Sequence, residues 1–269
     1  MRIPFIKMHG LGNDFVVLDA RENDLPPVTA QTARSLADRT MGIGCDQLIL
    51  LEPSMVEDFR MRIFNADGGE VEACGNASRA VALLHGKAAR IETEGGSIAL
   101  EPVSGGATVD MGTPRFEWDA IPLGYAMDTA NMPVGWGELE TPHAVNVGNP
   151  HVVFFVEDTE LIDLASLGPL IERDPLFPQG INVNVASLVG ENHLRLRVWE
   201  RGAGLTKACG TGACATAIAA MQRGLVNREV KVSLPGGDLH IAWDAEDHIQ
   251  MTGPATEAFR GTFEWADYS

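Results

Sequence analysis

Short alternating or wholly apolar runs, each bounded by glycine or proline, recur along this chain of 269 residues. Runs of this kind read as strands. They fall near 3–8, 14–19, 47–51, 59–64, 89–92, 97–101 and 107–111, and again near 143–146, 151–156, 182–188, 193–199, 229–234, 238–242 and 247–251. Two alanine-rich segments break the pattern, Gly75 to His85 and Thr211 to Arg223, ended by Gly86 and Gly224. Both predict helices, with a lesser one at 29–39. Apolar residues run nearly all round the two main helices, so each is expected to be wrapped by its sheet and not laid on a surface.

The second set of elements repeats the first. Arg60 to Asn65 overlies Arg195 to Glu200 without a gap, and both are alternating strands with a polar last residue. Each last residue lies nine positions before a cysteine, since 74 − 65 and 209 − 200 agree. The cysteines open the two helices, in "EACGNASR" (72–79) and "KACGTGAC" (207–214), and 209 − 74 gives an offset of 135. Under it Gly12-Asn13 falls on Gly148-Asn149, and Gln47 falls on Asn182. Farther on, "GGSIAL" matches "GGDLHI" and "VDMGTP" matches "IQMTGP". So long a period is that of a duplicated domain, not of a solenoid. The Pro- and Gly-rich stretch 113–143 marks the boundary region, which gives domains of 1–115 and 116–257.

Composition narrows the function. A net charge of −17 with no clustered lysine or arginine argues against a nucleic-acid partner. No apolar run approaches the roughly 20 residues of a membrane span, and the first residues lack a secretory h-region, so a cytoplasmic protein is expected. The four cysteines show no Cys-x2-Cys spacing and no His-x3-His or His-Glu-x-x-His partner, so neither a metal nor a disulfide framework is expected. Cys45 and Cys214 read as buried packing residues.

The other two cysteines stand where a helix begins. Amides of a first helical turn lack intrahelical partners, and the macrodipole adds partial positive charge, so such an end takes up a carboxylate. The same field is expected to lower a thiol pKa. Two copies would aim two such ends at one cleft, with a carboxylate pinned between two thiols. Inverting a carbon next to that carboxylate needs a base on one face and an acid on the other, and thiols titrate near enough to neutrality for both roles. "GTGACA" fits a dinucleotide fingerprint only formally, since the first copy, "GNASRA", lacks the glycines. A Walker A lysine is absent. Lys207 is a poor Schiff-base candidate because its counterpart is Glu72.

The segments "KMHGLGNDF" (7–15), "GIGCDQLI" (42–49), "FNADGGEVEACGN" (64–76), "VGNPHVV" (147–153), "GINVNV" (180–185), "WERGAG" (199–204) and "ACGTGAC" (208–214) resemble the diaminopimelate epimerases. The resemblance implies an α/β (α+β) fold of two pseudo-symmetric domains, each a curled sheet around a central helix, with residues 258–269 returning to the first. The active site would lie in the cleft between them. It implies a cofactor-independent epimerase that converts LL-2,6-diaminopimelate to the meso form, commonly as a homodimer. It makes Cys74 and Cys209 the acid/base pair, supported by His151 and Glu200. Carboxylate-binding amides are implied at Gly75, Asn76, Gly210 and Thr211, and further substrate contacts at Asn13, Gln47, Asn65, Asn149, Asn182, Glu200 and Arg201. The chain departs from the family pattern at Ala77-Ser78 and Ala80. Competing expectations are racemisation of proline or hydroxyproline, amino-acid binding without catalysis, and a redox-sensing pair of thiols.

Overall fold

In the computed structural model the four central residues of the strand Gln47–Glu52, Leu48 to Leu51, are all buried. Leu48 and Leu50 face the core shared with the helix Ala30–Ala37, while Ile49 and Leu51 point to the opposite face. Each such side chain contributes roughly 1.5–3 kcal/mol by leaving water. The structure describes residues 1–72 and 74–269. They fall into two units, Met1–Val109 with Gly253–Ser269, and Asp110–Thr252.

Unit 1 contains β1 (Arg2–Gly10), β2 (Asn13–Asp19), β3 (Gln47–Glu52), β4 (Phe59–Asn65), β5 (Glu70–Val71), β6 (Ala89–Thr93), β7 (Gly96–Val103) and β8 (Gly106–Asp110). Its helices are α1 (Ala30–Ala37) and α2 (Gly75–His85), and the C-terminal strand Thr256–Glu264 pairs with β1. The sheet order is β1, β2, β3, β4, β6, β7, β8, joined by antiparallel, parallel, antiparallel, parallel, antiparallel and antiparallel pairings. Thr29 caps α1 by accepting from Thr32 N, and Gly86, at φ 77°, ends α2 in the left-handed conformation glycine tolerates. Every residue of α2 from Gly75 to Val81 is buried, and the sheet curls round it through β1, β7 and the C-terminal strand.

Unit 2 contains β9 (Gly135–Trp136), β10 (Leu139–Glu140), β11 (His143–Asn146), β12 (Pro150–Phe155), β13 (Asn182–Gly190), β14 (His193–Glu200), β15 (Gly204–Thr206), β16 (Glu229–Leu234), β17 (Gly237–Trp243) and β18 (Ile249–Pro254). Its helices are α3 (Leu164–Glu172) and α4 (Gly210–Gln222). From β11 through β12, β13, β14, β16 and β17 to β18 the pairings run antiparallel, parallel, antiparallel, parallel, antiparallel, antiparallel. That is the pattern of unit 1, so the sequence repeat is a repeat of topology. The helix α4 is buried at every residue from Gly212 to Ala220, which the sequence pattern required. Among the described residues no helix is long and apolar enough to cross a membrane.

The expected strands and both central helices are present, with ends shifted by a few residues. The helix α3 was not expected, because Gly168 and Pro169 interrupt its sequence. It forms because Asp163 caps it through Ser166 N and because Gly168 packs flat on the Trp199 indole. A Cβ at Gly168 would lie 2.5 Å from two ring carbons, and the ring is held by a 2.7 Å hydrogen bond from Nε1 to Glu172 Oε2. Gly168→Ala gains about 1 kcal/mol of helix propensity but overpacks a pinned ring, at a cost of about 1–3 kcal/mol. We expect a net loss, seen as a lower urea midpoint; an unchanged or higher midpoint would contradict this packing.

Candidate active site

In each unit the polar positions paired by the repeat gather at one end of the sheet, where the central helix begins. Gln47 opens β3 and Asn65 closes β4, directly opposite in register, and Gln47 Nε2 donates to Asn65 Oδ1 at 3.0 Å. Asn13 opens β2 after Gly12, whose φ of 90° a side chain would oppose; Gly148, before Asn149, has φ 105°. Asn182 opens β13 and Glu200 closes β14.

In unit 1 the cluster centres on Cys74, the N-cap of α2, whose own side chain makes no capping bond. Cys74 Sγ lies 3.8 Å from Asn13 Oδ1, and Asn76 Nδ2 donates to that oxygen at 3.2 Å. Asn76 is held in turn by Arg79, a fully buried arginine whose Nη2 donates to Asn76 Oδ1 at 2.7 Å. Asn13 Nδ2 donates to Asp46 Oδ2 at 3.2 Å. Behind it, Arg39 bridges Asp46 and Asp14, and Lys7 bonds Asp14 as well. Burial alone would raise the Asp14 pKa, but hydrogen bonds from Arg39 and Lys7 outweigh it and hold it at about 2. Asp14 is therefore a carboxylate at any working pH, and the Asn13 turn rests on fixed charge.

In unit 2 a different cluster centres on Cys209, the N-cap of α4. Here the thiol does cap its helix: Gly212 N donates to Sγ at 3.3 Å, and Thr211 Oγ1 lies 3.5 Å away. Cys209 is 4% exposed and Glu200 is its neighbour, bonded also by Thr206 Oγ1. The field of the helix end was expected to lower the thiol pKa. At Cys209 the reverse holds: burial, and then the negative charge of Glu200, push it well above the ordinary thiol range. Burial raises the Glu200 pKa too, against the hydrogen bonds of Thr206 and Cys209. Cys209 is thus held as a thiol beside a carboxyl group able to share its proton.

The remaining expected residues lie in the same unit. His151 is fully buried, with Nε2 2.8 Å from Asn149 Oδ1 and Nδ1 3.1 Å from Asn184 Nδ2, and burial draws its pKa down to about 3. Asn182 donates one amide hydrogen to Pro150 O at 2.8 Å and accepts from Arg201 N at 3.0 Å, which leaves its second amide hydrogen. The Arg201 guanidinium is exposed and bonds Gln179 O at 3.0 Å, which leaves most of its donors for a ligand. Cys214 is buried in α4, and Cys45 is buried with its thiol pushed up to about 11 by desolvation, so both are packing residues. Sequence reasoning passed over Asp46, Arg79, Thr206 and Asn184. A cavity of about 580 Å³ in unit 1, lined in part by Phe5, Arg21, Phe59, His85 and Arg260, holds none of the expected residues.

The sequence pattern of the family described as diaminopimelate epimerase matches residues 5–117 and 143–257, one segment in each half of the repeat. The chain belongs to the diaminopimelate epimerase family. It is 73% identical over 269 residues to the diaminopimelate epimerase of Erythrobacter litoralis, covering 100% of both chains. It is 62% identical over 266 residues to that of Sphingopyxis alaskensis, covering 98% of each. Solved structures share the fold at low identity. A predicted epimerase from Pseudomonas aeruginosa superposes with TM-score 0.67 at 20% identity, covering 97% of this chain and 99% of that one. A hydroxyproline epimerase from Agrobacterium vitis gives 0.64 at 14%, covering 97% and 92%. Membership makes the chain an isomerase of the epimerase type.

The Cys209 environment has a measurable consequence. In Glu200→Gln the negative charge that opposes thiolate formation is gone, so the pH profile of Cys209 alkylation, followed by mass spectrometry, moves to lower pH. A profile unmoved by that substitution would remove Glu200 as the cause.

Proposed function

We propose that the chain epimerises LL-2,6-diaminopimelate to the meso form without a cofactor, with Cys74 and Cys209 as the two acid/base groups. The observation that carries this is the placement of each cysteine as N-cap of a fully wrapped helix, at matching points of two units with one topology. Each helix start offers first-turn amides to a carboxylate, Gly75 and Asn76 in one unit, Gly210 and Thr211 in the other.

The reaction is two proton transfers on opposite faces of one carbon. A cysteine thiolate takes the α-hydrogen and becomes a thiol, while the negative charge left on the carbon spreads into the adjacent carboxylate held at the helix starts. The other cysteine gives its thiol proton to the opposite face and becomes the thiolate. No net proton is gained or lost, and the enzyme ends ready for the reverse direction. The surroundings of Cys209 favour its entry as the donor, and Glu200 then faces the thiolate left behind. Asn13, Asn65, Gln47, Asn149, Asn182, Glu200 and Arg201 would receive the rest of a substrate with two amino and two carboxylate groups, Arg201 gripping a carboxylate. Thiol–thiolate exchange of this kind requires both cysteines reduced.

The test is inversion and α-deuteration by Cys74→Ala and Cys209→Ala across a panel of amino acids. Each substitution is expected to cut epimerisation of diaminopimelate by at least about 10²–10⁴-fold, the usual worth of a positioned acid or base. Proline and hydroxyproline should not exchange. Full activity in the double variant would end the two-thiol reading, and turnover of proline in place of diaminopimelate would reassign the substrate. Tight binding of diaminopimelate without exchange would make the chain a binding protein.

A further inference from the structure

Unit 2 buries a polar pair where unit 1 buries an apolar one. Under the repeat His151 stands at the place of Phe15 (151 − 15 = 136) and Asn184 at that of Ile49 (184 − 49 = 135). The strand registers agree: Phe15 pairs with Gln47 and Val17 with Ile49, as His151 pairs with Asn182 and Val153 with Asn184. All four residues, Phe15, Ile49, His151 and Asn184, have zero exposure. The same topology thus forms with either pair, and an imidazole and an amide cost more to bury than a phenyl ring and an aliphatic chain. Packing gives no reason for the polar pair.

Its hydrogen bonds do. Asn184 Nδ2 lies 3.0 Å from Val152 O, a pure acceptor, so that atom is the amide nitrogen and not the oxygen. The same nitrogen lies 3.1 Å from His151 Nδ1, which must therefore accept. A neutral imidazole has one N–H, and it is left on Nε2, 2.8 Å from Asn149 Oδ1. Burial keeps the ring neutral through the working pH range. Asn149 is thereby committed by its oxygen, and its amide hydrogens remain for a ligand. On the other side, Asn184 Oδ1 is buried without a hydrogen-bond donor among the described residues and lies against the first turn of α4. A Cβ on Gly212 would stand 2.7 Å from that oxygen and 3.2 Å from Cys209 Sγ.

We propose that Asn184 is a positioning residue: it locks His151 in the Nε2–H tautomer and, through it, presents the Asn149 amide hydrogens to a carboxylate of the substrate. In this role His151 is a hydrogen-bond donor and does not take the substrate's proton. The substrate half of the proposal rests on the function proposed above; the tautomer half does not.

Nitrogen-15 NMR of the resting protein reads the tautomer, with His151→Phe identifying the signal. We expect Nε2 protonated and Nδ1 bare from neutral pH to well below pH 6. Asn184→Asp, which offers Nδ1 an acceptor, should move the proton to Nδ1 and raise KM for LL-diaminopimelate about 10-fold, the size of one lost hydrogen bond, with a smaller change in kcat. Replacing the pair by its unit 1 counterpart, His151→Phe with Asn184→Ile, should keep the urea midpoint near that of the parent protein while KM rises. A proton on Nδ1 in the parent protein, or an Asn184→Asp variant with tautomer and KM unchanged, would overturn the proposal. A parent protein with the Nε2–H tautomer but no turnover of diaminopimelate would instead refute the functional reading and leave the lock standing.

Discussion

The structure depends on one constraint, the burial of a short helix of small residues inside a curled sheet. With Gly75 to Val81 and Gly212 to Ala220 all enclosed, neither α2 nor α4 can slide or rotate without breaking contacts on every side. The start of each helix is therefore fixed against the strand ends that surround it. Whatever residue occupies the N-cap is placed as accurately as the core itself, and in both units that residue is cysteine. Most residues of α4 are glycine or alanine, which lets its backbone approach the strands closely, while α2 encloses the long side chain of Arg79 as well.

The two cysteine clusters share a frame but differ in chemistry. Cys74 faces amide groups, Asn13 and through it Asn76, held by the buried Arg79 and by the Asp14, Asp46 and Arg39 network. Cys209 faces a carboxyl group and caps its own helix, and its burial beside Glu200 favours the thiol. The same divergence puts His151 and Asn184 where the first copy has Phe15 and Ile49. The shared topology gives the geometry, and the differences between the copies give the polarity.

Much of this was legible in the sequence because it was written twice. Strands surrounded by Gly and Pro turns, alanine-rich helices and matched polar ends all showed under one offset. What escaped has physical reasons. The helix α3 carries Gly168 and Pro169, and its formation depends on an indole that only the fold brings near. The strand Thr256–Glu264 is exposed along most of its length, so it lacks the alternation that marks a half-buried strand. The elevated pKa of Cys209 follows from burial and from a carboxyl group nine residues upstream, neither of which a local reading of the helix end includes. Asn184 was hidden by the method that found the others, since a search for sameness between copies passes over the positions where they differ.

The central claim is that two thiols act on opposite faces of one carbon, and isotope placement tests it most directly. LL-diaminopimelate is incubated in D2O and stopped at low conversion, and deuterium at the α-carbon is measured separately in product and in recovered substrate. Two bases predict meso product deuterated at the inverted carbon, because its proton came from a thiol exchanged with solvent, while recovered substrate stays nearly free of deuterium. Product that keeps the original hydrogen, carried from one face to the other by a single base, would contradict the account.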